Sequence, residues 1–344
     1  MTDAARTTPL NITVRVTQPE LVRPFIIATG ARTHQPVLSV TVGDGIHVGR
    51  GAATGVRYRG ESVEAMQAQL AGLPGDTVRE TLSDHLPAGG AMAALDAALW
   101  ELEAARANRT VADLIGVDPR ALPSAFTIVL DTPDAMAAQT SAESWRPLLK
   151  VKLGGNAALE AARMRAVRRA APETRLVIDA NAAWTPEQLG ALAPVAKDQG
   201  YELLEQPLPM GGETDPVCAD ALRAAGDIIP LCADESLQTL ADLDRVAPLY
   251  SHVNIKLDKC GGLTAGLALR DAARARGLGI FVGCMVAPAV AIAPAHLLAQ
   301  GADYVDLDGP FWFPDEPVRL DEDGLFTPID PAVWGAGDRH ADDR

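Results

Sequence analysis

The feature that most constrains this chain is an alternation that begins near residue 123 and continues to about residue 306. Short apolar runs alternate with alanine-rich segments that are apolar at helical spacing and carry Arg or Glu on the other face. This pattern favours a parallel, modified (β/α)8-type barrel, of (β/α)7β form, over a β-sandwich. The predicted strands are residues 126–130, 148–152, 176–180, 201–205, 228–232, 252–256, 279–283 and 303–306.

One residue, polar in all but one case, stands in or just after each predicted strand, mostly at its C-terminal end. In parallel α/β barrels these strand ends form the rim where active sites lie. Each of these residues alone could be a solvated loop residue, but their recurrence in step with the strands predicts a functional rim. In chain order they are Thr127, Lys152, Asp179, Glu205, Asp234, Lys256, Gly283 and Asp306.

The residues before the barrel predict a smaller α+β domain that caps it. We expect this capping domain over residues 1–122, completed by residues 314–344, and the barrel over residues 123–313. Gly43-Asp44-Gly45 predicts a hairpin turn, and residues 335–344 predict a frayed polar tail. The predicted elements are strands at residues 12–16, 37–42 and 46–49 and helices at residues 61–73 and 91–107.

Charge and composition exclude several classes of protein. Asp plus Glu number 45 against 30 for Lys plus Arg, a net charge of −15 that repels nucleic acid and anionic membranes. The longest apolar run, near residues 286–299, is too short to span a bilayer. The first ten residues lack the pattern of a secretion signal, and the four cysteines show no C-x-x-C spacing. We therefore expect a cytoplasmic protein with reduced thiols.

Three carboxylates lie at the ends of the third, fourth and fifth predicted barrel strands: Asp179, Glu205 and Asp234. Neighbouring strands are less than about 5 Å apart, so these side chains should converge. Their mutual repulsion would cost on the order of 4 kcal/mol per pair, or about 12 kcal/mol in all, without a proton or cation between them. Carboxylates without His or Cys suit Mg²⁺, for which Mn²⁺ could substitute. The alternative is that some of the three are ordinary ion-pair partners.

Lysines flank these acids on both sides. Lys150 and Lys152 are two residues apart in the second predicted barrel strand, so both point to one side and Val151 to the other. Lys256 ends the sixth strand, across the barrel. Burying lysines toward a barrel centre is costly without a reason. Any one of them could be a surface lysine, but the symmetric placement around the acids favours a functional role.

This pattern suits removal of a proton next to a carboxylate, which produces a doubly charged enediolate. A divalent cation, with Lys150 beside it, would stabilise that charge where it develops. A free lysine, with a pKa of about 10.4, is a poor base at neutral pH, but a neighbouring ammonium and a divalent cation both depress that pKa. Lys152 and Lys256 could then act as base and acid on opposite faces, which indicates inversion of a stereocentre.

The same residues resemble the muconate-lactonising subgroup of the enolase superfamily, over about residues 11–315. The matching stretches are Lys150-x-Lys152, Asp179-Ala180-Asn181, Glu205-Gln206-Pro207, Ala233-Asp234-Glu235-Ser236, Lys256 with Gly261-Gly262, and the helix around Ala98-Leu99-Trp100-Glu101. At strand seven the match is partial, because Val286-Ala287-Pro288 stands where the subgroup often has Glu-Ser.

Within that subgroup, Asp306-Leu307-Asp308 is similar to the Asp-x-Asp motif with which dipeptide epimerases hold the free α-ammonium of the substrate. A turn-capping role for Asp308, beside Gly309-Pro310, is the alternative. Arg32, in a segment that resembles the mobile specificity loop of the family, is a candidate ligand for a substrate carboxylate. Thr127 is a further candidate for substrate binding. Residues 58–61 look like the capping loop of L-Ala-D/L-Glu epimerases.

The resemblance implies an isomerase: a Mg²⁺-dependent dipeptide epimerase, of the L-Ala-D/L-Glu type, that inverts the C-terminal α-carbon by two-lysine 1,1-proton transfer through a metal-stabilised enediolate. We expect a homo-oligomer that binds a dipeptide and neither nucleic acid nor membrane. The nearest rival is an o-succinylbenzoate synthase or cycloisomerase of the same subgroup. An acid-sugar dehydratase fits less well, because those enzymes usually place a His where Lys256 stands. A catalytically silent barrel should have lost a ligand or a lysine, and neither is missing.

Overall fold

The computed structural model describes residues 10–28, 30–154 and 157–340. The N-terminal region contains an antiparallel sheet in the order β1-β4-β5 and a separate β2–β3 hairpin. The strands are β1 (Asn11–Thr17), β2 (Glu20–Ile27), β3 (Gly30–His34), β4 (Val37–Gly43) and β5 (Val48–Ala53). The helices are α1 (Val63–Leu70), α2 (Leu82–His85), α3 (Gly90–Ala107) and α4 (Val111–Ile115).

Small residues allow α3 to lie directly on β5. A Cβ atom at Gly49 would collide with the backbone of Ala98 and Leu102, and one at Gly51 would collide with the backbone of Ala94. Glycine in a strand interior normally weakens the strand, and here it permits this close approach. Ala94, Ala97 and Ala98 of α3 are buried at this contact.

The rest of the chain forms an eight-stranded parallel sheet in strict chain order, which confirms the predicted barrel and its capping domain. Its strands are β6 (Phe126–Ile128), β7 (Leu148–Lys152), β8 (Arg175–Asp179), β9 (Leu203–Glu205), β10 (Leu231–Ala233), β11 (His252–Ile255), β12 (Gly279–Gly283) and β13 (Tyr304–Asp306). Its helices are α5 (Pro133–Glu143), α6 (Ala157–Ala170), α7 (Pro186–Asp198), α8 (Pro216–Gly226), α9 (Leu243–Val246), α10 (Leu257–Cys260), α11 (Leu263–Ala275) and α12 (Ala289–Leu298).

The barrel closes between its last and first strands through few contacts. Ser124 and Val305 form an isolated parallel bridge, and the Ala125 N–H donates to the Val305 carbonyl at 2.7 Å. Closer to the rim, hydrogen bonds from side chains to backbone join the two strands. The Ser124 hydroxyl accepts from Leu307 N–H, and the Asp308 carboxylate accepts from Thr127 N–H. The rim at this seam is therefore held by Asp308.

Local signals fix where the barrel helices begin. Thr185 caps α7 in a reciprocal capping box with Gln188, and Pro186 follows as the first helical residue. Asp215 caps α8 by accepting from Cys218 N–H, ahead of Pro216. Each cap satisfies amide groups that the start of a helix would otherwise leave unpaired. The preceding barrel strands therefore end in short, defined loops at the rim.

Inside the barrel the lower part is apolar and the upper part is charged. The lower layer contains a buried cluster of Ala125, Leu148, Val177, Leu203, Cys232 and Phe281. Side chains alternate along a strand, so the residues two positions further along β7, β8 and β9 also face the interior. These are Lys150, Asp179 and Glu205.

The structure corrects several local predictions. The segment around Arg32 is the second strand of the β2–β3 hairpin, whereas the sequence predicted a loop there; Thr29 lies outside the described residues. The fifth barrel strand is Leu231–Ala233, later than the predicted 228–232, because Pro230 precedes it and cannot donate to a ladder. The hairpin predicted at Gly43-Asp44-Gly45 is present between β4 and β5, and its loop comprises residues 44–47, in which Asp44 accepts from the N–H groups of Ile46 and His47.

The predicted frayed tail is wrong for residues 335–340. The carboxylate of Glu101 is fully buried in α3, and it accepts hydrogen bonds from Gly335 N–H at 2.9 Å and from the Arg339 guanidinium at 3.2 Å. A buried charge needs such partners, and they hold this segment on the capping domain. Trp334 adds a hydrogen bond to the Arg50 carbonyl. The domain limits at residues 122 and 313 stay predictions.

Polar contacts hold the capping domain over the barrel rim. Asp258, in α10, accepts from the N–H groups of Thr54 and Gly55 at 2.9 and 3.0 Å. Gln238, in the loop after β10, donates to the Tyr58 hydroxyl at 2.9 Å.

Among the residues that the structure describes, no helix is long and apolar enough to cross a membrane.

Candidate active site

Three carboxylates meet at the centre of the rim, as the strand positions predict. Asp179 and Glu205 are paired directly across β8 and β9, and Asp234 follows β10. One oxygen from each of the three lies within 4.8 Å of the others, and all three residues are buried. No His or Cys belongs to this group. The donor set is therefore all oxygen and suits a hard divalent cation.

Lys150 lies at the centre of these acids. Its Nζ atom is 3.1 Å from Asp179, 2.8 Å from Glu205 and 2.9 Å from Asp306. Burial alone would lower the pKa of Lys150, but the three carboxylates outweigh burial and raise that pKa well above its ordinary value. Lys150 is thus the positive charge at the centre of these acids.

The other two predicted lysines bracket the acids from opposite ends. Lys152 Nζ lies 2.6 Å from Asp179, and Lys256 Nζ lies 2.7 Å from Asp234. Burial would lower the pKa of Lys256, but Asp234 and the other acids raise it. This direction is opposite to the depression expected for a base. The depression requires a divalent cation that takes over the negative charge of the acids.

Lys259 and Asn254 belong to the site, although the sequence interpretation did not include them. Lys259 Nζ donates to Asp234 Oδ1 at 2.6 Å and to the Asn254 carbonyl at 2.9 Å, and Asn254 Nδ2 donates to Glu205 at 2.8 Å. The signal for Asn254 was present, because it stands two residues before Lys256 and shares its side of β11. Lys259 lies in α10, beyond the strand, where strand spacing gives no signal.

Buried acids outnumber buried lysines at this rim. The acids are Asp179, Glu205, Asp234, Glu235, Asp306 and Asp308, and the lysines are Lys150, Lys152, Lys256 and Lys259. Six carboxyl groups against four ammonium groups leave the rim with an excess of acids, which favours binding of a cation.

The pKa values of the acids reflect this excess. Burial together with the charge of Asp179 raises the pKa of Glu205 to about 7. Burial together with the charge of Asp234 raises the pKa of Glu235 to about 8. By contrast, Lys150 and Lys152 outweigh burial and hold the pKa of Asp179 below its ordinary value. The ionised forms of Glu205 and Glu235 are thus disfavoured, and a bound cation would stabilise them.

Asp306 and Asp308 form a second acidic pair at the end of the last barrel strand. Asp306 Oδ2 accepts from Lys150 at 2.9 Å, and Asp308 Oδ2 accepts from Thr127 N–H at 2.8 Å. Asp306 Oδ1 is buried and has no hydrogen-bond partner among the described residues. Burial and the neighbouring Asp306 raise the pKa of Asp308 to about 6. The pair therefore has room for one more cation.

One alternative for these residues is settled by geometry. Asp308 makes no side-chain cap to the 3-10 helix Gly309–Trp312 that follows it, so the turn-capping interpretation is wrong. Thr127 bonds to Asp308 through its backbone N–H and its side chain, and contact of Thr127 with the substrate stays a prediction.

Arg32 lies on the capping hairpin and does not contact the central acids among the described residues. Its guanidinium lies over the Phe25 ring at 5.0 Å, and its buried Nε has no hydrogen-bond partner there. Burial, with a contribution from Arg57, lowers the pKa of Arg32 to about 10. An arginine in this situation is stabilised by an anion.

The atypical strand-seven segment forms part of the wall between cap and barrel. Val286 packs in an apolar cluster with Phe25 of the hairpin and with Trp312 and Phe313. Gly309 lies against this segment, since a Cβ atom there would approach the Met285 carbonyl to 2.7 Å. Val286 therefore serves packing between the hairpin and the barrel rim.

Two parts of the chain match known protein families. Residues 11–116 match the mandelate racemase/muconate lactonizing enzyme N-terminal domain, and residues 135–327 match the enolase C-terminal domain-like family. The chain belongs to the enolase superfamily. The resemblance expected from the lysine and carboxylate motifs is thereby confirmed.

Relatives in the enolase superfamily cover most of the chain. The chain is 41% identical over 296 residues to an L-Ala-D/L-Glu epimerase of Escherichia coli K12. This match covers 84% of this chain and 90% of the relative. It is 40% identical over 256 residues to an N-acetyl-D-glutamate racemase of a Pseudoalteromonas species, covering 74% of this chain and 79% of the relative.

A solved structure shows the same superfamily fold. It is an enolase family member from Agrobacterium tumefaciens with homology to dipeptide epimerases, crystallised with sodium and L-Ala-L-Glu. The TM-score is 0.89 at 35% sequence identity, and the match covers 95% of this chain and all of that one.

Proposed function

We propose that this protein is a Mg²⁺-dependent dipeptide epimerase of the L-Ala-D/L-Glu type, which inverts the α-carbon of the C-terminal glutamate. The observation that carries the proposal is the pairing of two features on one rim. Lysines bracket a carboxylate triad from opposite ends, and a second acidic pair stands beside them with a single lysine as its counter-charge.

We assign Asp179, Glu205 and Asp234 as the ligands of the divalent cation. Their oxygens converge, no softer donor joins them in this group, and the excess of acids over lysines at the rim favours a cation. The chemistry that Mg²⁺ supplies at such a site is positive charge next to the substrate carboxylate, where negative charge develops during proton removal. Mn²⁺ as a substitute is part of this proposal.

The lysines perform the proton transfers. Lys152 and Lys256 approach the reacting carbon from opposite sides, so one removes the α-proton and the other returns a proton to the opposite face. Lys150 keeps its charge and stabilises the substrate carboxylate as its charge grows. Lys259 holds Asp234 in place through Oδ1.

The acidic pair recognises the amino end of the substrate. Asp306 is anchored through Oδ2 by Lys150 and has a free Oδ1, and Asp308 is anchored through Oδ2 by Thr127 N–H. A buried carboxylate pair in which Asp306 Oδ1 is unpaired suits an ammonium group, which donates up to three hydrogen bonds.

Two relatives support glutamate as the reacting residue, the Escherichia coli L-Ala-D/L-Glu epimerase and the Pseudoalteromonas N-acetyl-D-glutamate racemase. Both names contain glutamate, and they differ in the group on its nitrogen. Arg32, with its unpartnered Nε, is our candidate for the side-chain carboxylate of that glutamate. A racemase of N-acylated glutamate is the second candidate, favoured by the 40% identity to the Pseudoalteromonas enzyme. An o-succinylbenzoate synthase or cycloisomerase has no use for an ammonium-binding pair.

Asparagine at Asp306 or Asp308 should lower kcat/KM for L-Ala-L-Glu by roughly ten- to a hundred-fold. A charge-assisted hydrogen bond to a buried ammonium is worth about 1.5–3 kcal/mol, and each 1.36 kcal/mol is about tenfold. The measurement compares L-Ala-L-Glu with N-propionyl-L-Glu, which differs only in lacking the ammonium group.

The wild-type enzyme should strongly prefer the free dipeptide, and the two variants should lose that preference. Activity of the Asp308 variant on N-propionyl-L-Glu should stay near the wild-type value, whereas the Asp306 variant should lose some activity on both compounds because Asp306 also contacts Lys150. If the wild-type enzyme turns over both compounds equally well, the pair does not bind an ammonium group and the N-acyl racemase becomes the better interpretation.

We also propose a cytoplasmic location and a homo-oligomeric state. All four cysteines are free, as expected for a reducing compartment, although Cys218 and Cys284 are only partly buried. Size-exclusion chromatography with light scattering tests the oligomeric state.

A further inference from the structure

Trp312 is fixed deep between the capping hairpin and the acidic pair. The side chain is almost completely buried, and its indole N–H donates to Asp308 Oδ2 at 3.2 Å. The same oxygen accepts from Thr127 N–H. Asp308 is therefore held by Thr127 of the first barrel strand and by Trp312 of the 3-10 helix that follows the last strand.

The Trp312 ring also supports the capping hairpin. Phe25 of β2 meets it edge-on, with ring centroids 4.8 Å apart, and the Arg23 guanidinium lies 4.7 Å from the ring centroid. Both residues belong to β2. One side chain thus contacts the hairpin through its ring and Asp308 through its nitrogen.

We propose that Trp312 is a positioning residue for recognition of the amino end of the substrate, and that it links docking of the β2–β3 hairpin to the orientation of Asp308. The inference rests on the proposed function, because it requires that Asp306 and Asp308 bind an ammonium group. The indole N–H and the Thr127 backbone N–H both donate to Oδ2, and the Thr127 side chain also bonds to this carboxylate. Without the indole donor, Asp308 is held only by Thr127 of the first barrel strand, and the support that reaches it from the side of the hairpin is lost.

Trp312→Phe tests this role, because it removes the donor and keeps an aromatic ring against Phe25. We expect kcat/KM for L-Ala-L-Glu to fall about ten-fold, mainly through KM, as for loss of one hydrogen bond to a charged group. The value for N-propionyl-L-Glu should stay within about two-fold, since that compound places no ammonium beside Asp308.

Trp334→Phe is the matched control. Trp334 is also buried, and its indole N–H donates to the Arg50 carbonyl at 2.8 Å in the capping domain. The Trp334→Phe variant should lose about as much thermal stability as Trp312→Phe, and it should leave the ratio of the two kcat/KM values, for L-Ala-L-Glu and N-propionyl-L-Glu, unchanged. Phe25→Leu keeps the indole donor but weakens the ring contact, and it should reduce the preference for the free dipeptide by a smaller factor. This variant also carries the test if Trp312→Phe does not fold.

Equal losses on both substrates in Trp312→Phe, or a preference for L-Ala-L-Glu that stays at the wild-type level, would overturn the positioning role. An unchanged preference in Phe25→Leu would overturn the link to the hairpin. Failure of the proposed function has a different signature, because the wild-type enzyme itself would then show no preference for the free dipeptide.

Discussion

Alanine at Lys152 or at Lys256 is expected to abolish net epimerisation and to leave proton exchange at one face of the reacting carbon. A general base or acid in such a step contributes about 10²–10⁴-fold to the rate, so we expect turnover to fall by at least about a thousand-fold. In D₂O each variant should exchange the α-proton of only one of the two epimers, L-Ala-L-Glu or L-Ala-D-Glu, and the two variants should differ in which one. Mass spectrometry of the separated epimers measures this exchange.

Both variants should fold, because neither leaves an acid without a counter-charge. Asp179 keeps Lys150 at 3.1 Å when Lys152 is removed, and Asp234 keeps Lys259 at 2.6 Å when Lys256 is removed. The double variant is the control and should exchange neither epimer. Continued interconversion of the epimers after loss of a single lysine contradicts a two-base mechanism.

Glu205→Gln is expected to weaken Mg²⁺ binding and to lower turnover, each by at least about a hundred-fold, since loss of an outer-shell partner alone typically costs ten- to a hundred-fold. This variant is preferable to Asp234→Asn. Asp234 holds the ammonium of Lys259, which is 1% exposed, and stranding such a charge costs about 3–5 kcal/mol of stability. At position 205 the amide oxygen of Gln can still accept from Asn254.

Isothermal titration of the apoprotein with Mg²⁺, followed by Mn²⁺, measures the affinity independently of turnover. The matched control is Glu213→Gln, which removes another buried carboxylate, paired with Arg245 at 2.7 Å and outside the triad. It should bind Mg²⁺ as the wild type does. Wild-type affinity in Glu205→Gln, or full activity after exhaustive chelation, would remove Glu205 from the metal site.

The barrel and its central charges could be predicted because their signals are local and periodic. Strand-length apolar runs between amphipathic segments define parallel strands, and the period of two places Lys150 and Lys152 on one side of β7. Since the ends of parallel strands meet at one rim, Asp179, Glu205 and Asp234 could be assigned to one cluster without knowing any distance.

Other parts depend on contacts between residues far apart in the chain, which no local period encodes. Trp312 and Thr127 both donate hydrogen bonds to Asp308, where the last barrel strand lies beside the first. Lys259 is recruited by the buried charge of Asp234. The ordered C-terminal segment is held by Glu101, more than two hundred residues earlier in the chain.

The hairpin that carries Arg32 was missed for a different reason. The strand β2 is only partly buried and contains Pro24, so its pattern lacks the regular alternation that marks a half-buried strand. Its packing on Val286 and Trp312 stabilises it instead.

The most direct test of the account is incubation of the wild-type enzyme with L-Ala-L-Glu and Mg²⁺ in D₂O, followed by proton NMR. The account predicts that L-Ala-D-Glu appears, that deuterium enters the α-carbon of glutamate, and that the α-proton of alanine stays in place. Absence of exchange at the glutamate α-carbon, or exchange at alanine instead, would contradict it.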